Sequence, residues 1–312
     1  MPSVRRMRLH VVPSKLVERV YYAYNLDTTK YPQLIHRINV VRKLSGWNVG
    51  RLIVDCPSED LLITHLQHKS AVCKRKIVKD VIESLIELLY ELKEDFNNFW
   101  KSVESTLELE SERIKSLTDW DTLFTFLESE TGRKVPRDFV LVHPSLTIGS
   151  DDYSFTLNDK VIITIHLRRE KWDYILTIMH ELLHSMLQSP DWYYSNKNLA
   201  QLVEKVIKEF NVTYPPGYPN AKLYFEENFI EALVLHLALK WKSLIELPED
   251  INNICFKYWE RRGLKLAKWL FFKLKDYNYS EFNTIDEYLM RILKAYSIHY
   301  NFNDSSLVTK VN

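Results

Sequence analysis

The chain has 312 residues and a net charge of +1, with 46% hydrophobic and 27% charged residues. This balance is typical of a globular protein with a large core, and it argues against a polyanion such as a nucleic acid as a partner. The 6 glycines form no phosphate-cradling loop, which argues against dinucleotide-binding and P-loop chemistry. The 3 cysteines are widely separated, as is typical of free thiols in a reducing compartment.

No stretch of the sequence has the pattern of a secretion signal or a membrane span. Residues 1–12 contain arginines, but their apolar run is too short for a signal peptide. The apolar stretch Trp269–Phe272 is flanked by lysines and is too short to cross a bilayer. We therefore expect a cytoplasmic protein that does not span a membrane.

The first 57 residues mix short apolar runs with proline and glycine. Pro13–Ala23 has the pattern of a helix, and Val49–Val54 has the β-branched composition of a strand. No feature of this part points to a chemical function.

Residues 58–117 are strongly helical in pattern and contain no glycine. An apolar stripe with alternating spacings of four and three predicts one long helix over about residues 75–105. The stripe consists of Val78, Ile82, Leu85, Leu89, Leu92, Phe96, Phe99 and Val103. Self-association through this helix is one interpretation, but Val81, Leu88 and Trp100 widen the stripe and favour packing against the rest of the chain.

The next part of the chain predicts a helix followed by strands. The helix is expected over Asp119–Ser129, with Gly132 ending it. Phe139–Val142 reads as a strand, and Tyr153–Leu157 with Val161–Leu167 reads as a hairpin. The second strand of the hairpin comes shortly before the motif described next, so its edge could pair with an extended peptide substrate.

The motif His-Glu-x-x-His occurs at residues 180–184, within a segment of helical period. The apolar residues of 170–188 recur at spacings of three and four, which predicts an amphipathic helix with the motif on its polar flank. On a helix, His180 and His184 share one face and can bind one metal ion, and Glu181 lies beside them. Zinc suits this set because it binds imidazole nitrogen and lowers the pKa of its water to about 7. We therefore predict a zinc site with Glu181 as the catalytic base.

A catalytic zinc site needs a third protein ligand. A metzincin arrangement is excluded because Leu187 and Pro190 stand where that pattern has glycine and histidine. The segment 223–239 is helical and, past Phe229, apolar on nearly all sides, so it predicts a buried helix. Glu227 and Glu231 lie one turn apart on it. With that face against the metal helix, Glu227 could bind the ion.

The remaining polar residues of this region are assigned by their place on the helix. Glu231 could accept a hydrogen bond from the outer N–H of a ligand histidine and so hold its ring. His236 lies on the opposite side of the helix from Glu227, which predicts a core histidine. His166 on the hairpin is interpreted as a structural or rim residue, and His299 has no supporting pattern.

The pair of motifs His180–His184 and Glu227–Ala232 resembles the gluzincin zinc metallopeptidases, in particular the minigluzincins and the catalytic domain of anthrax lethal factor. Ile230 departs from their Glu-x-Phe-Ala-Glu pattern at a packing position. The resemblance covers roughly residues 138–241. It implies a zincin-like fold in which His180, His184 and Glu227 hold zinc.

The family often adds a tyrosine that steadies the oxyanion, shortly before the glutamate ligand. Tyr218 is the preferred candidate, because its proline-rich loop can fold over the cleft. Tyr224, one turn before Glu227, is the alternative. Small gluzincins can also be latent, with a terminal segment in the cleft.

The segment between the two motifs predicts a helix over Leu199–Phe210, after the aromatic residues 192–194. Its role in shaping a substrate cleft or in packing stays open. Towards the end of the chain, Ile251–Leu274 and Asp286–Tyr300 read as two further helices.

These patterns predict an α+β, mainly helical chain with a small mixed sheet. We expect a helical region of unknown role at residues 1–117 and a zincin-like metallopeptidase domain at residues 118–312.

The expected activity is hydrolysis of peptide bonds in a peptide or protein substrate by Glu181 and a zinc-bound water. The alternatives are a metal-binding regulatory or interaction module and a hydrolase of a non-peptide bond. Peptide deformylase also uses His-Glu-x-x-His, but neither Cys56 nor Cys73 follows a glycine as its cysteine ligand does.

Overall fold

A computed structural model describes residues 9–135, 139–149, 152–157, 160–168, 170–187, 197–215, 218, 220–243, 245–278, 281–282 and 284–299. Within these ranges the chain forms thirteen α-helices, a short 3-10 helix and four strands. The expected mainly helical α+β fold with a small mixed sheet is therefore confirmed. No helix in the described part is both long and apolar enough to cross a membrane.

The chain divides into two compact units, which are described in turn. The first consists of Met1–Asp121 and Pro136–Ser185, and the second of Thr122–Val135 and Met186–Asn312. The predicted boundary between residues 117 and 118 stays a prediction.

The first unit contains the whole sheet and the N-terminal helices. Its elements are β1 (Leu9–Val11), α1 (Lys15–Tyr24), a 3-10 turn (Pro32–Leu34), α2 (Ile35–Val41), α3 (Gly46–Ile53), α4 (Leu62–Val72), α5 (Lys76–Glu91), α6 (Lys93–Lys115), β2 (Phe139–Ser145), β3 (Tyr153–Leu157) and β4 (Lys160–His166). Helix α7 (Trp120–Thr131) begins at its end, and helix α8 (Lys171–Leu187) lies in it as far as Ser185.

The four strands form one sheet in the order β1-β2-β4-β3. β1 and β4 run parallel to β2, and β3 runs antiparallel to β4, so the predicted hairpin strands are confirmed. The residues Asn158 and Asp159, which connect the two hairpin strands, lie outside the described residues. The expectation that the second hairpin strand is an edge was wrong, because β4 is paired on both sides and β3 is the outer strand. The apolar run of β4 fits this central position.

The helix over Pro13–Ala23 is confirmed as α1, but the predicted strand at Val49–Val54 was wrong. These residues belong to α3, whose first turn is capped by the side chain of Ser45. Val49 and Ile53 are buried one turn apart, so helical spacing and the cap outweigh β-branched composition. Gly50 lets α3 pack closely, since an added Cβ would lie 2.8 Å from the hydroxyl oxygen of Tyr21.

The long helix predicted over residues 75–105 is two helices. α5 ends at Glu91 and α6 starts at Lys93, with Leu92 as the single residue between them. Buried stripe residues of α5, including Ile82, Leu85 and Leu89, join the core of the N-terminal helices. Packing of this stripe against its own chain is confirmed, while self-association stays a prediction.

In its described residues, the second unit contains helices and the turns between them but no strand. It contains most of α7, then α9 (Lys197–Glu209), α10 (Ala221–Lys240), α11 (Ile251–Arg262), α12 (Ala267–Leu274) and α13 (Ile285–His299). The predicted helices at 119–129, 199–210 and 286–300 are confirmed within a few residues. Gly132 has a φ of 64° just after α7, as expected of a glycine that ends a helix.

Helix α10 is the core of the second unit. Its residues from Phe229 to Ala238 are buried almost all round, as predicted, except Glu231. The single helix predicted over Ile251–Leu274 was wrong, because Gly263 ends α11 in the left-handed conformation with a φ of 70°. The side chain of Asn228 then starts α12, accepting hydrogen bonds from the N–H groups of Leu266 and Ala267 at 2.9 Å.

Candidate metal centre

Helix α8 carries the His-Glu-x-x-His motif. Its apolar residues Ile178, Met179, Leu182 and Leu183 are buried, whereas His180 and His184 are only half-buried. The helix therefore presents both imidazoles from the flank of its apolar stripe, as expected of an amphipathic helix. Glu181 is nearly buried, and its carbonyl oxygen accepts a hydrogen bond from the hydroxyl of Ser154 on β3 at 2.9 Å.

The two imidazole rings face each other through their Nε2 atoms. These atoms are 3.1 Å apart, and the ring planes are inclined by 70°. Two ligands that are each about 2.0–2.1 Å from a tetrahedral ion lie roughly 3.3 Å apart. The spacing of the two nitrogens is thus close to the spacing that one zinc ion requires.

Glu227 lies on the second turn of α10, a helix that begins with the side-chain cap of Asn220. One ligand atom from each of His180, His184 and Glu227 lies within 4.8 Å of the other two, so this His-His-Glu group could hold a metal ion. The carboxylate of Glu227 also lies 3.5 Å from Nη2 of Arg262. A guanidinium at this distance stabilises the charged form of the carboxylate, which is the form that binds metal.

The two candidate tyrosines have different environments. Tyr224 is fully buried, and its hydroxyl donates to the carbonyl of Gly263 at 2.8 Å and accepts from the N–H of Lys265 at 2.9 Å. Its hydroxyl is therefore committed to the turn between α11 and α12, and Tyr224 is unsuited to an oxyanion. The hydroxyl oxygen of Tyr218 accepts from Nη2 of Arg262 at 2.7 Å, which leaves its proton available for donation.

Burial raises the pKa of Tyr218 far above its usual value, and the negative charge of Glu227 adds to this shift. The phenol is therefore neutral at physiological pH and keeps the proton that a hydrogen-bond donor needs. Nη1 of Arg262 donates to the hydroxyl of Tyr258 at 2.7 Å. One guanidinium thus holds two phenol oxygens and lies beside a carboxylate.

Sequence reasoning missed Arg262 and Tyr258. The only signal was their spacing of four on α11 directly before Gly263, and this spacing is too common to indicate a site. Their connection to Tyr218 and Glu227 depends on the tertiary packing of α10 and α11.

The other sequence-predicted residues lie as follows. Glu231 accepts a hydrogen bond through Oε2 from the indole N–H of buried Trp259 at 2.9 Å, so one of its oxygens serves the packing of α11 on α10. Its predicted bond to a ligand histidine stays a prediction.

His236 is buried, which lowers its pKa to about 4, so it is a neutral core histidine as expected. His166 is half-buried at the end of β4, and residues 192–194 lie outside the described part of the chain.

Comparison with protein-family models, with curated proteins and with solved structures finds no match to this chain.

Proposed function

We propose that this protein is a zinc-dependent metallopeptidase. The observation that carries the proposal is the His-His-Glu group of His180, His184 and Glu227, whose ligand atoms all lie within 4.8 Å of one another. Two imidazoles and one carboxylate are the donor set of several catalytic zinc sites, in which three protein ligands leave one position open. When bound, zinc would polarise a substrate carbonyl and make a water molecule acidic near neutral pH.

Glu181 is proposed as the general base and acid. It adjoins His180 in the chain and is nearly buried, where its carboxylate is shielded from bulk water. It would take the proton of the attacking water and then deliver a proton to the leaving amine. The bond from Ser154 to its backbone carbonyl holds this turn of α8 against the sheet.

Tyr218 is proposed to donate a hydrogen bond to the carbonyl oxygen of the substrate as negative charge develops there. Arg262 orients it by donating to its hydroxyl oxygen, so that the phenolic proton points elsewhere. A donor fixed before the reaction stabilises the developing charge without the cost of reorienting.

The sheet supports a peptide as substrate. β3 is the outer strand, with β4 on one side and no strand on its other side among the described residues. Extended peptides bind such edges through their backbone amides. Because Ser154 of β3 is bonded to Glu181, a peptide on this edge would lie near the catalytic turn. This feature favours a peptide over a small non-peptide substrate.

The test compares the wild type with Glu181→Gln and His184→Ala on a mixed peptide library, with products read by mass spectrometry and zinc by elemental analysis. We expect the wild type to contain about one zinc per chain and to cleave peptides. Glu181→Gln should retain zinc and lose at least about 100-fold in cleavage, because it removes the proton carrier. His184→Ala should lose both zinc and cleavage.

The control variant is Glu112→Gln, because the side chain of Glu112 is 72% exposed and belongs to the surface of α6. It should retain zinc and full cleavage. A wild type that binds zinc but cleaves no peptide would favour the metal-binding module or the non-peptide hydrolase. A wild type without zinc would refute the metal centre.

A further inference from the structure

The first unit contains a cavity that takes no part in the proposed zinc chemistry. Its volume is about 400 Å³, within the usual range for small-molecule sites of roughly 300–1,000 Å³. Its walls are the start of α1, the end of α3 and the loop over residues 56–59. Its floor is one face of the sheet.

The floor consists of two rows that run across β2, β4 and β3. The strand register pairs His143 with Thr164 and Thr164 with Tyr153, which makes the first row polar. The second row is apolar and consists of Leu141, Ile162 and Phe155. Since side chains alternate between the faces of a strand, Ser154 points to the other face, where it bonds to α8. The cavity and the motif helix thus lie on opposite faces of the sheet.

The polar row contains atoms that can still form a hydrogen bond. Tyr153 is only 6% exposed, and its hydroxyl makes no hydrogen bond of normal geometry with a described residue, although the side chains of Tyr21 and Thr164 lie close enough to interact with it. Nδ1 of His143 lies 2.8 Å from the carbonyl oxygen of Val12, so Nδ1 must carry the proton and donate. Nε2 of the neutral ring is then an acceptor, with no partner in the described part of the chain. Buried polar groups of this kind usually bond to water or a ligand.

The lining carries no unpaired charge. Its charged residues are Lys15 and Glu59, and Glu59 pairs with Arg19 and with Lys15 at 3.7 Å. Burial lowers the pKa of His143, which keeps its ring neutral. A cation would find no counterion that is not already paired, and an anion could pair only with Lys15 at the rim, so the lining favours a neutral molecule.

We propose that this cavity binds a neutral small molecule with an apolar body and a hydroxyl group at one end. The hydroxyl accepts a hydrogen bond from Tyr153 and donates one to Nε2 of His143, while the body lies on Leu141, Ile162 and Phe155. At about 30 Å³ for each water-sized group, the space suits a molecule of on the order of ten non-hydrogen atoms.

The test uses 4-ethylphenol as the probe and ethylbenzene as its analogue without a hydroxyl. Binding to the full chain is measured by saturation-transfer NMR, and dissociation constants come from titration. Tyr153→Phe should weaken 4-ethylphenol about 3- to 10-fold and leave ethylbenzene unchanged, because one neutral hydrogen bond is lost. It should unfold at a temperature close to that of the wild type, since the hydroxyl that it removes makes no hydrogen bond of normal geometry.

A second pair of variants tests the location. Ile162→Phe fills the apolar row and should abolish binding of both probes, whereas Ile162→Val keeps the space open and should retain both. The proposal is wrong if the wild type binds neither probe at millimolar concentration, which would mean that the cavity holds water only. It is also wrong if a folded Ile162→Phe binds as the wild type does. Should Ile162→Phe not fold, Tyr153→Phe decides, and equal binding of 4-ethylphenol by that variant and the wild type rejects the site.

Discussion

Arg262 donates to the hydroxyl oxygens of Tyr218 and Tyr258 at 2.7 Å and lies 3.5 Å from the carboxylate of Glu227. A planar guanidinium offers several N–H donors in fixed directions, so one side chain can orient three neighbours. A lysine offers no such planar fork. The arrangement explains how a tyrosine from an irregular loop is held in a defined orientation beside a metal-ligand candidate.

Tyr218→Phe should therefore lower the kcat of peptide cleavage by about 100-fold, the usual loss on removing one oxyanion donor. The zinc content and the melting temperature should stay close to those of the wild type. The measurement is steady-state kinetics on a peptide cut by the wild type, with Tyr90→Phe as the control because Tyr90 is 57% exposed. An unchanged kcat would remove Tyr218 from the mechanism and leave the zinc proposal intact.

His236 is a second residue with a measurable consequence. Its pKa is lowered from 6.5 to about 4 because it is buried, and its Nε2 has no hydrogen-bond partner among the described residues. Between pH 6.5 and pH 4, the imidazole of His236 is mostly protonated in the unfolded chain and mostly neutral in the folded chain. The folded state therefore loses stability as the pH falls through this range. At pH 5 the loss from this one group is on the order of 2 kcal/mol.

Urea unfolding at pH 7 and pH 5 measures this effect. The wild type should lose on the order of 2 kcal/mol more than His236→Leu between the two pH values. His68→Leu serves as the control because His68 is exposed, and it should follow the wild type. Equal losses in the wild type and His236→Leu would show that this histidine does not titrate differently in the folded state.

Among the elements, α10 and α12 are joined by one fully buried side chain. Asn228 accepts from the first two N–H groups at the start of α12 and donates to the carbonyl of Tyr224 at 2.7 Å. Asn228→Ala would leave the buried N–H of Leu266 without a partner, whereas the N–H of Ala267 would keep the carbonyl of Leu264 at 3.3 Å. The expected cost is about 1–3 kcal/mol in unfolding free energy. Urea unfolding tests this, with exposed Asn98→Ala as the control. A loss below about 1 kcal/mol would mean that water replaces the amide.

Helices with strong apolar periodicity could be predicted from the sequence, but their ends often could not. The stripe over residues 75–105 continues through Leu92, so nothing in its spacing marks the break between α5 and α6. Gly263 did mark a break, but the apolar residues on both sides of it suggested one continuous helix. At Val49–Val54 the cap at Ser45 was the better guide than β-branched composition.

The candidate site was predictable where its residues share one helix. His180 and His184 follow from their spacing, and the apolar surroundings of Glu227 and Glu231 indicated a buried helix that carries carboxylates. Arg262 was not predictable, because it lies on another helix and reaches Glu227 only through tertiary packing. The sequence likewise could not exclude Tyr224 as the oxyanion donor, because that exclusion depends on the hydrogen bonds of its hydroxyl to the turn at Gly263.

At the scale of the whole molecule, the first unit contains residues from both regions that the sequence suggested as separate domains. β1 pairs with β2, and the core of the N-terminal helices includes Ile148 and Tyr153. Glu18 of α1 is fully buried and accepts from the N–H of Leu146 and the hydroxyl of Thr147, both at 2.8 Å. These contacts make the N-terminal region part of the structure that supports the sheet and α8.

A fragment of residues 118–312 should therefore fail to fold cooperatively. It would lack β1 and α1 and expose the sheet face that holds Tyr153 and Phe155, so its apolar surface would favour aggregation. Near-UV circular dichroism and urea unfolding should show no native packing and no sharp transition. Co-expression with residues 1–117 should restore both, because it returns the missing strand and core.

Full-length Glu18→Ala serves as the point-mutant counterpart of that deletion. It leaves the backbone N–H of Leu146 without its acceptor, so it should lower the unfolding free energy by about 1–3 kcal/mol while the chain still folds. Glu108→Ala is the control, because Glu108 is exposed on α6. If the fragment of residues 118–312 unfolds cooperatively and binds zinc by itself, that result would support the predicted domain boundary after residue 117. The sheet and α8 would then be stable without the N-terminal helices.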